Sequence, residues 1–359
     1  MSLLKLDIYH VRNIHKASLQ PCPTLNLLVG DNASGKSSLL EAIYILGRAK
    51  SFRSASIKPV ISLDQEHLIV SAQIQQTAEG GVSQLGIQLD GKTMAIRINQ
   101  ETRQQRSELA YALPVQLIHP KSYELLDGGA QLRREFLDWG VFNADTRFLP
   151  MWRRFKKALA QRNAALKIKR FEQLAVWNQE LAYYGTIVQD YRQRYLEKLQ
   201  PVFIAISRQF LALDTITLQL LCGWDSSKTL LEALEQDMDK DLRYGFTHSG
   251  PHRADFQVRV EQQLAKEFVS RGQLKLLVLG LKLSQVQLLA DGQQPLGCVL
   301  VDDFAAELDS CNRVKLLDFL VALNCQVFIT ATAATDFGDL SHIPNYKMFR
   351  MEQGCVNPY

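Results

Sequence analysis

The stretch Gly30-Asp-Asn-Ala-Ser-Gly-Lys-Ser37 decides the fold. It follows the apolar run Leu25-Asn-Leu-Leu-Val29 and leads into Ser38-Leu-Leu-Glu-Ala-Ile-Tyr-Ile-Leu46, so the order reads strand, glycine-rich loop, helix. In that setting GxxxxGK[ST] is a phosphate loop. Gly30 and Gly35 let the backbone curl until the N–H groups of Asp31, Asn32, Ala33 and Ser34 converge on a phosphate, and the helix that starts near Lys36 adds its positive end. Lys36 is expected to reach the β- and γ-phosphates and Ser37 to hold Mg2+. A chance glycine turn would have to place four fixed residues between a strand and a helix by accident.

Outward from the loop, composition sets broad bounds. The 359 residues are 47% apolar and 22% charged, with a net charge of +4, which is ordinary globular usage with room for two or three lobes. So small an excess demands no polyanionic partner, and the distribution of charge must decide. The N-terminal Met-Ser-Leu-Leu-Lys-Leu-Asp lacks a basic segment before a long apolar core, and no stretch reaches the length of a membrane span. A soluble, cytoplasmic protein without a membrane role is expected. The six cysteines, Cys22, Cys222, Cys298, Cys311, Cys325 and Cys355, form no CxxC pair. Neither a zinc site nor a disulfide framework is indicated, and reduced, mostly buried thiols are expected.

Residues 3–8 alternate as a strand, and 68–75, 84–89 and 93–98 read as strands, the last two joined at Asp90-Gly91. These predict an antiparallel accessory sheet. After the short strand 113–118, helical periodicity runs from about 121 to 212. Strands follow at 216–221 and 256–260, a helix at 229–241, and an apolar helix opened by Ser270-Arg-Gly-Gln273. The domain reading is an ATPase lobe of residues 1–120 plus 290–359 and a helical lobe of 121–289.

Residues 147–170 carry nine Lys or Arg and no acidic residue, interleaved with Phe148, Trp152 and Phe155. Arg153, Arg154, Lys156, Lys157 and Arg162 are candidates for contact with a DNA backbone. The competing reading is a solvated arm whose long side chains lie over apolar neighbours.

Gly297-Cys-Val-Leu-Val301 is of buried-strand type and ends in Asp302-Asp303. An aspartate at such a strand's carboxyl end would reach the Mg2+ held by Ser37. With Ser270-Arg-Gly-Gln upstream and Ala306-Glu-Leu-Asp309 downstream, the ordered set resembles the head of an ATP-binding-cassette ATPase. The further order Arg12-Asn13, GDNASGKSS, Leu132-Arg-Arg-Glu-Phe-Leu-Asp138, Gly250-Pro-His-Arg-Ala-Asp255, SRGQLK and VDDFAAELD resembles the RecF family of bacterial recombination-repair proteins from end to end.

That resemblance implies an α/β, SMC-like ABC ATPase head with an antiparallel β subdomain and an inserted helical lobe. It implies an ATP-dependent homodimer, DNA binding, partners RecR and RecO that help load RecA at single-stranded gaps, and a part in replication and the SOS response. Carried over residue by residue, Gly30, Gly35, Lys36 and Ser37 bind phosphate and metal, Asp302 completes the metal site, and Asp303 stands where many relatives place a glutamate that polarises water. Ser270, Arg271, Gly272 and Gln273 would serve the partner's ATP, while Arg12 and Asn13 match an Arg-Asn that touches the nucleotide. Gln116 is the candidate γ-phosphate sensor at the metal, with a plain strand glutamine as the competing reading. Thr330 occupies the place where transporter relatives carry a histidine. His248 and His252 lack a third metal ligand of matching spacing.

Three other functions compete. A transporter nucleotide-binding subunit would need a membrane partner, and a metabolic kinase would have no use for SRGQLK or AELD. A structural clamp with a dead site is at odds with an intact Lys36, Asp302 and Asp303.

Overall fold

In the computed structural model, which describes residues 1–76, 80–213, 215–292, 297–305, 308–323 and 325–359, the alternating start of the chain forms β1 (Ser2–Val11). It turns at Arg12-Asn13 into β2 (Ile14–Leu19), Arg12 taking φ 56°. β3 (Leu25–Val29) is buried at every position, and α1 (Lys36–Arg48) leaves the loop that follows it. Alternation then gives β4 (His67–Gln75), β5 (Val82–Asp90) and β6 (Met94–Ile98). At the β5–β6 turn the Asp90 carboxylate accepts the N–H groups of Lys92 and Thr93. β7 (Glu101–Arg103), α2 (Arg106–Ala112) and β8 (Val115–Ile118) complete this part.

The helical stretch comprises α3 (Glu124–Asp127), α4 (Ala130–Ala144), α5 (Phe148–Lys167) and α6 (Phe171–Phe210). β9 (Ile216–Leu221), α7 (Leu230–Gln236), α8 (Met238–Tyr244), β10 (Asp255–Val260), β11 (Gln263–Leu264), α9 (Ala265–Phe268) and α10 (Arg271–Ala290) follow. β12 (Cys298–Val301), α11 (Ser310–Ala322), β13 (Gln326–Ala331), β14 (Tyr346–Glu352) and β15 (Cys355–Pro358) close the chain. Two compact units result: Met1–Ser122 with Leu289–Tyr359, and Tyr123–Leu288.

The first unit holds two six-stranded sheets. One has the order β2-β1-β4-β5-β6-β7, all antiparallel. The other runs β15-β14-β3-β13-β12-β8, parallel from β14 to β8. Leu39, Ile43 and Leu46 of α1 share one core with Leu6, Val70 and Ile87 of the first sheet and Leu28, Leu300 and Phe328 of the second. The helix is therefore apolar nearly all round, as burial on both sides requires. Parallel pairing brings the carboxyl ends of β3, β12 and β13 to one edge, the usual place for a ligand in such sheets.

In the second unit the two charged motifs noted in the sequence bind each other. Asp255 takes Arg133 through both carboxylate oxygens at 2.6 and 2.9 Å, and Arg134 donates to the Ala254 carbonyl at 2.8 Å. Arg192 of α6 holds Asp138 at 2.8 and 2.9 Å and the Pro251 carbonyl at 2.7 Å. Both motifs are thus fastened into the packing of this unit.

Some expectations are corrected. Helix 229–241 is two short helices broken at Asp237, and strands β2, β7, β11, β14 and β15 were not foreseen. Cys22, Cys298 and Cys325 are buried, Cys222 is half-buried, and Cys311 and Cys355 are exposed, so only half the thiols are interior. All six are free. Phe148 and Phe155 point into the core, so they do not interleave with the basic residues at the surface.

Candidate nucleotide-binding site

The phosphate loop is shaped by close approaches that only glycine permits. Gly35 takes φ +114°, and a Cβ on Gly30 would fall 2.3 Å from the Met351 carbonyl oxygen. Gly354, in the β14–β15 turn, donates its N–H to the Ser34 carbonyl at 2.8 Å. Asn13 donates to the Ala33 carbonyl at 3.0 Å and accepts from the Ser38 hydroxyl at 2.9 Å. The loop is therefore braced by the β1–β2 turn on one side and the terminal hairpin on the other. This hairpin was not foreseen, and nothing in the sequence says where it packs.

A cavity of about 400 Å³ opens above the loop. Asn32 to Ser38 line it from below, with Arg12, Asn13, Arg53, Pro120, Asp302, Asp303, Thr330 and Thr332 around them. Gly30 and Asp31 shape the loop without lining the cavity. The Lys36 ammonium donates to the carbonyls of Gly30 and Asp31 at 2.6 and 2.8 Å. Burial lowers its pKa, an effect opposed by Asp302, Asp303 and Asp31.

Asp302 sits at the end of β12. One of its oxygens, Oδ1, accepts from Ser37 Oγ and from Thr330 Oγ1, each at 2.9 Å. Burial raises its pKa, offset in part by those two hydroxyls, while Asp303 raises it further. A buried carboxylate oxygen beside a serine hydroxyl is the kind of oxygen donor set that suits a hard divalent cation. The Ser34 hydroxyl, buried in the loop wall, has no hydrogen-bond partner. Helix α1 also presents first-turn N–H groups that no carbonyl of its own can reach. These features fit a Mg2+–nucleotide. Among the described residues no cluster of three or more His, Cys, Asp or Glu could hold a metal alone.

Asp303 adopts φ 54° and donates its N–H to Thr330 Oγ1 at 2.8 Å. Thr330 therefore ties both aspartates together. Arg12 lines the cavity, yet its guanidinium is held by Glu41 at 2.9 and 3.0 Å and by the Pro59 carbonyl at 2.6 Å. Glu41 is fully buried, accepts also from the Ser51 hydroxyl, and lies 3.8 Å from Arg53. Arg53 and Glu41 were missed; the only signal was a basic stretch behind the loop helix.

Gln116 is a correction. It is buried in β8 opposite Val299, three residues short of Asp302, and does not line the cavity. Pro120, beyond the end of that strand, does. Ser270 and Gln273 cap α10 reciprocally: Gln273 Oε1 accepts the Ser270 N–H at 2.9 Å, and Ser270 Oγ accepts the Gln273 N–H at 3.3 Å. Ser270, Arg271 and Gly272 are exposed, and none of the four lines the cavity. Ala306 and Glu307 lie outside the described residues, while Asp309 caps α11 by accepting the Asn312 N–H. Arg153, Arg154, Lys156 and Lys157 are exposed. Arg162 is a second correction: it is fully buried, bonded to Asp241 at 2.6 Å and to Asn178 and Thr247 at 2.7 Å, and has no surface to offer DNA.

A parallel sheet carrying a phosphate loop beside an acidic strand end, an antiparallel second sheet and a separate helical unit define an ABC-type ATPase head of the SMC class. Two solved SMC heads, one from Pyrococcus furiosus bound to the C-terminal domain of ScpA, share this fold at TM-scores of 0.58 and 0.57 and 15% and 13% identity. The chain belongs to the RecF family. Residues 2–357 match the RecF/RecN/SMC N terminal domain. The chain is 42% identical, over 99% of its length and 98% of the relative's, to the DNA replication and repair protein RecF of Pseudomonas aeruginosa (strain LESB58). It is 40% identical to that of Stutzerimonas stutzeri (strain A1501), over 99% and 97%. A solved structure of the recombination mediator protein RecF with ATP, described in the RecFOR pathway, superposes with a TM-score of 0.89 at 26% identity, over 99% of this chain and 97% of that one. Among the described residues no helix is long and apolar enough to cross a membrane.

Proposed function

We propose that this chain is an ATP-dependent DNA-binding protein of recombinational repair and replication restart, working in the cytoplasm. The observation that carries the reading is the joining of Ser37, Asp302, Asp303 and Thr330 above a braced phosphate loop. On this reading Lys36 exchanges a loop carbonyl for a phosphate oxygen, and the N-terminus of α1 adds its partial positive charge. Ser37 and Asp302 hold Mg2+, which when bound neutralises charge on the β- and γ-phosphates. Asp303 orients the attacking water. The ATPase is weak, because an aspartate is one methylene shorter than the glutamate of many relatives, and misplacement by about 1 Å costs on the order of a hundredfold; by family, it depends on DNA.

The exposed, capped N-terminus of α10 is the surface offered to a second copy's nucleotide, with Ser270, Arg271 and Gly272 foremost. ATP then holds a dimer on DNA at gaps or single-to-double-strand junctions, and slow hydrolysis times its release. By family, RecR and RecO are the partners and RecA loading the outcome, with a link to the SOS response. The unit of residues 1–120 plus 290–359 serves as the ATPase lobe and 121–289 as the lobe carrying the signature.

Sedimentation without nucleotide, with ADP and with ATP tests the core of this. Only ATP should give a dimer. Ser270→Arg should bind ATP and stay monomeric, whereas Asp303→Asn should dimerise and remain so. A dimer from the Ser270 variant, or rapid return to monomer by the Asp303 variant, refutes the shared site.

A further inference from the structure

Helix α8 ends at Gly245 (φ 74°), and the residues on either side, Tyr244 and Phe246, are 60% and 41% exposed. Lone exposed apolar residues are ordinary. Here two rings stand 6.2 Å apart on a fixed base. The His248 ring lies 4.2 Å from that of Phe246, tilted by 31°, and meets Tyr244 edge-on at 5.3 Å. Asp241 fixes that imidazole by accepting from its Nδ1 at 2.7 Å and from its backbone N–H at 3.0 Å. The other oxygen of Asp241 holds Arg162, and both members of that ion pair are fully buried. Since His248 covers one face of Phe246, the opposite face is what remains for a further ring.

The surroundings are cationic. Lys167 runs beside Gly245, where a Cβ would meet its Cγ at 3.4 Å. Lys169 and Arg170 on the turn after α5, and Lys240 and Arg243 on α8, are exposed as well, against Asp239 on α8 and Glu172 in the first turn of α6. Aromatic faces rimmed by cations match an unpaired nucleic-acid strand, whose bases stack while its phosphates take the charges. A duplex hides its base faces between neighbours. An apolar peptide would leave the cations without partners.

We propose that Tyr244 and Phe246 form a stacking platform for unpaired bases of single-stranded DNA, with Lys167, Lys169 and Arg243 on its phosphates. It rests on the DNA-binding reading above but uses different residues. Arg154 and Lys167 are roughly 20 Å apart along α5 at about 1.5 Å per residue.

The test measures binding of a labelled oligothymidylate and of a duplex of equal length to the full chain, to the Tyr244→Ala/Phe246→Ala double variant and to Tyr244→Trp. The alanine variant should lose at least about tenfold on oligothymidylate. It should keep duplex affinity and the slope of log affinity against log salt, because no cation is removed. Tyr244→Trp should retain binding and show fluorescence quenched by oligothymidylate beyond that of wild type, a readout that stands even if the alanine variant misfolds. Unchanged oligothymidylate affinity, an equal loss on duplex, or absence of that quenching would overturn the platform. Wild type that binds duplex alone would sink the platform and spare the DNA reading; wild type that binds neither would sink both.

Discussion

Thr330 uses one hydroxyl twice, donating to Asp302 and accepting from the backbone of Asp303. Thr330→Val keeps the volume but leaves that N–H and one Asp302 lone pair unserved, at about 1–3 kcal/mol each for a buried group. ATP hydrolysis should fall at least about tenfold while binding of a non-hydrolysable analogue holds, and Thr330→Ser should restore the rate. Equal hydrolysis by the valine variant would remove Thr330 from the site. Lys36→Ala should lose nucleotide affinity altogether, checked by titration calorimetry. Glu41→Ala deprives Arg12 of its buried partner, and a broken pair of this kind costs about 3–5 kcal/mol. A fall in melting temperature on the order of 10 °C is expected by calorimetry. That Lys36, Ser37 and Asp302 would come together could be read from the sequence, because the strand–loop–helix order and the acidic strand end fix their places. Gln116 was misread because a four-residue strand gives no register. Arg162 was misread because a helical wheel cannot show that Asp241, 79 residues away, will take it.

Helix α5 shows how much an element conceals. Its basic character is plain in the sequence, yet one cation serves the core while others lie over rings, Lys156 over Trp152 and Arg154 over Tyr184. Reversing Arg153, Lys156 and Lys157 to Glu should weaken binding to all DNA sequences alike. Each lost phosphate contact should flatten the log–log salt dependence by about 0.9 on duplex or 0.7 on single strands, and an unchanged slope would leave α5 as a solvated arm. The loop before β10 brings a pH dependence. Burial, opposed by the Thr247 carbonyl at 3.0 Å and aided by Arg253, Lys156 and Arg134, lowers His252 from its ordinary 6.5 to about 4. Between those values the unfolded chain binds the extra proton and the folded one does not, so stability is full above pH 6.5 and declines as pH falls towards 4. The thermal midpoint should drop from pH 7 to pH 5, and His252→Gln should flatten that decline. The strand pattern around this loop was legible from alternation; the Arg133–Asp255 salt bridge and the Arg134 hydrogen bond to Ala254 that lock it join motifs over a hundred residues apart and leave no local trace.

At the scale of the molecule, the phosphate loop belongs to both ends of the sequence. β3 lies between β13 and β14, and Gly354 and Met351 close against Ser34 and Gly30. Deleting residues 346–359 should therefore abolish ATP binding although every residue of the loop remains, and a truncated chain that binds normally would show the brace to be dispensable. The same arrangement sets an order in time. A chain leaving the ribosome at about 5–20 residues per second exposes its loop on the order of tens of seconds before the hairpin that shapes it exists. Until then nucleotide has no folded site to stabilise by mass action. The nascent protein is thus indifferent to cellular ATP until β14 and β15 have been made, and cannot be captured by nucleotide before then.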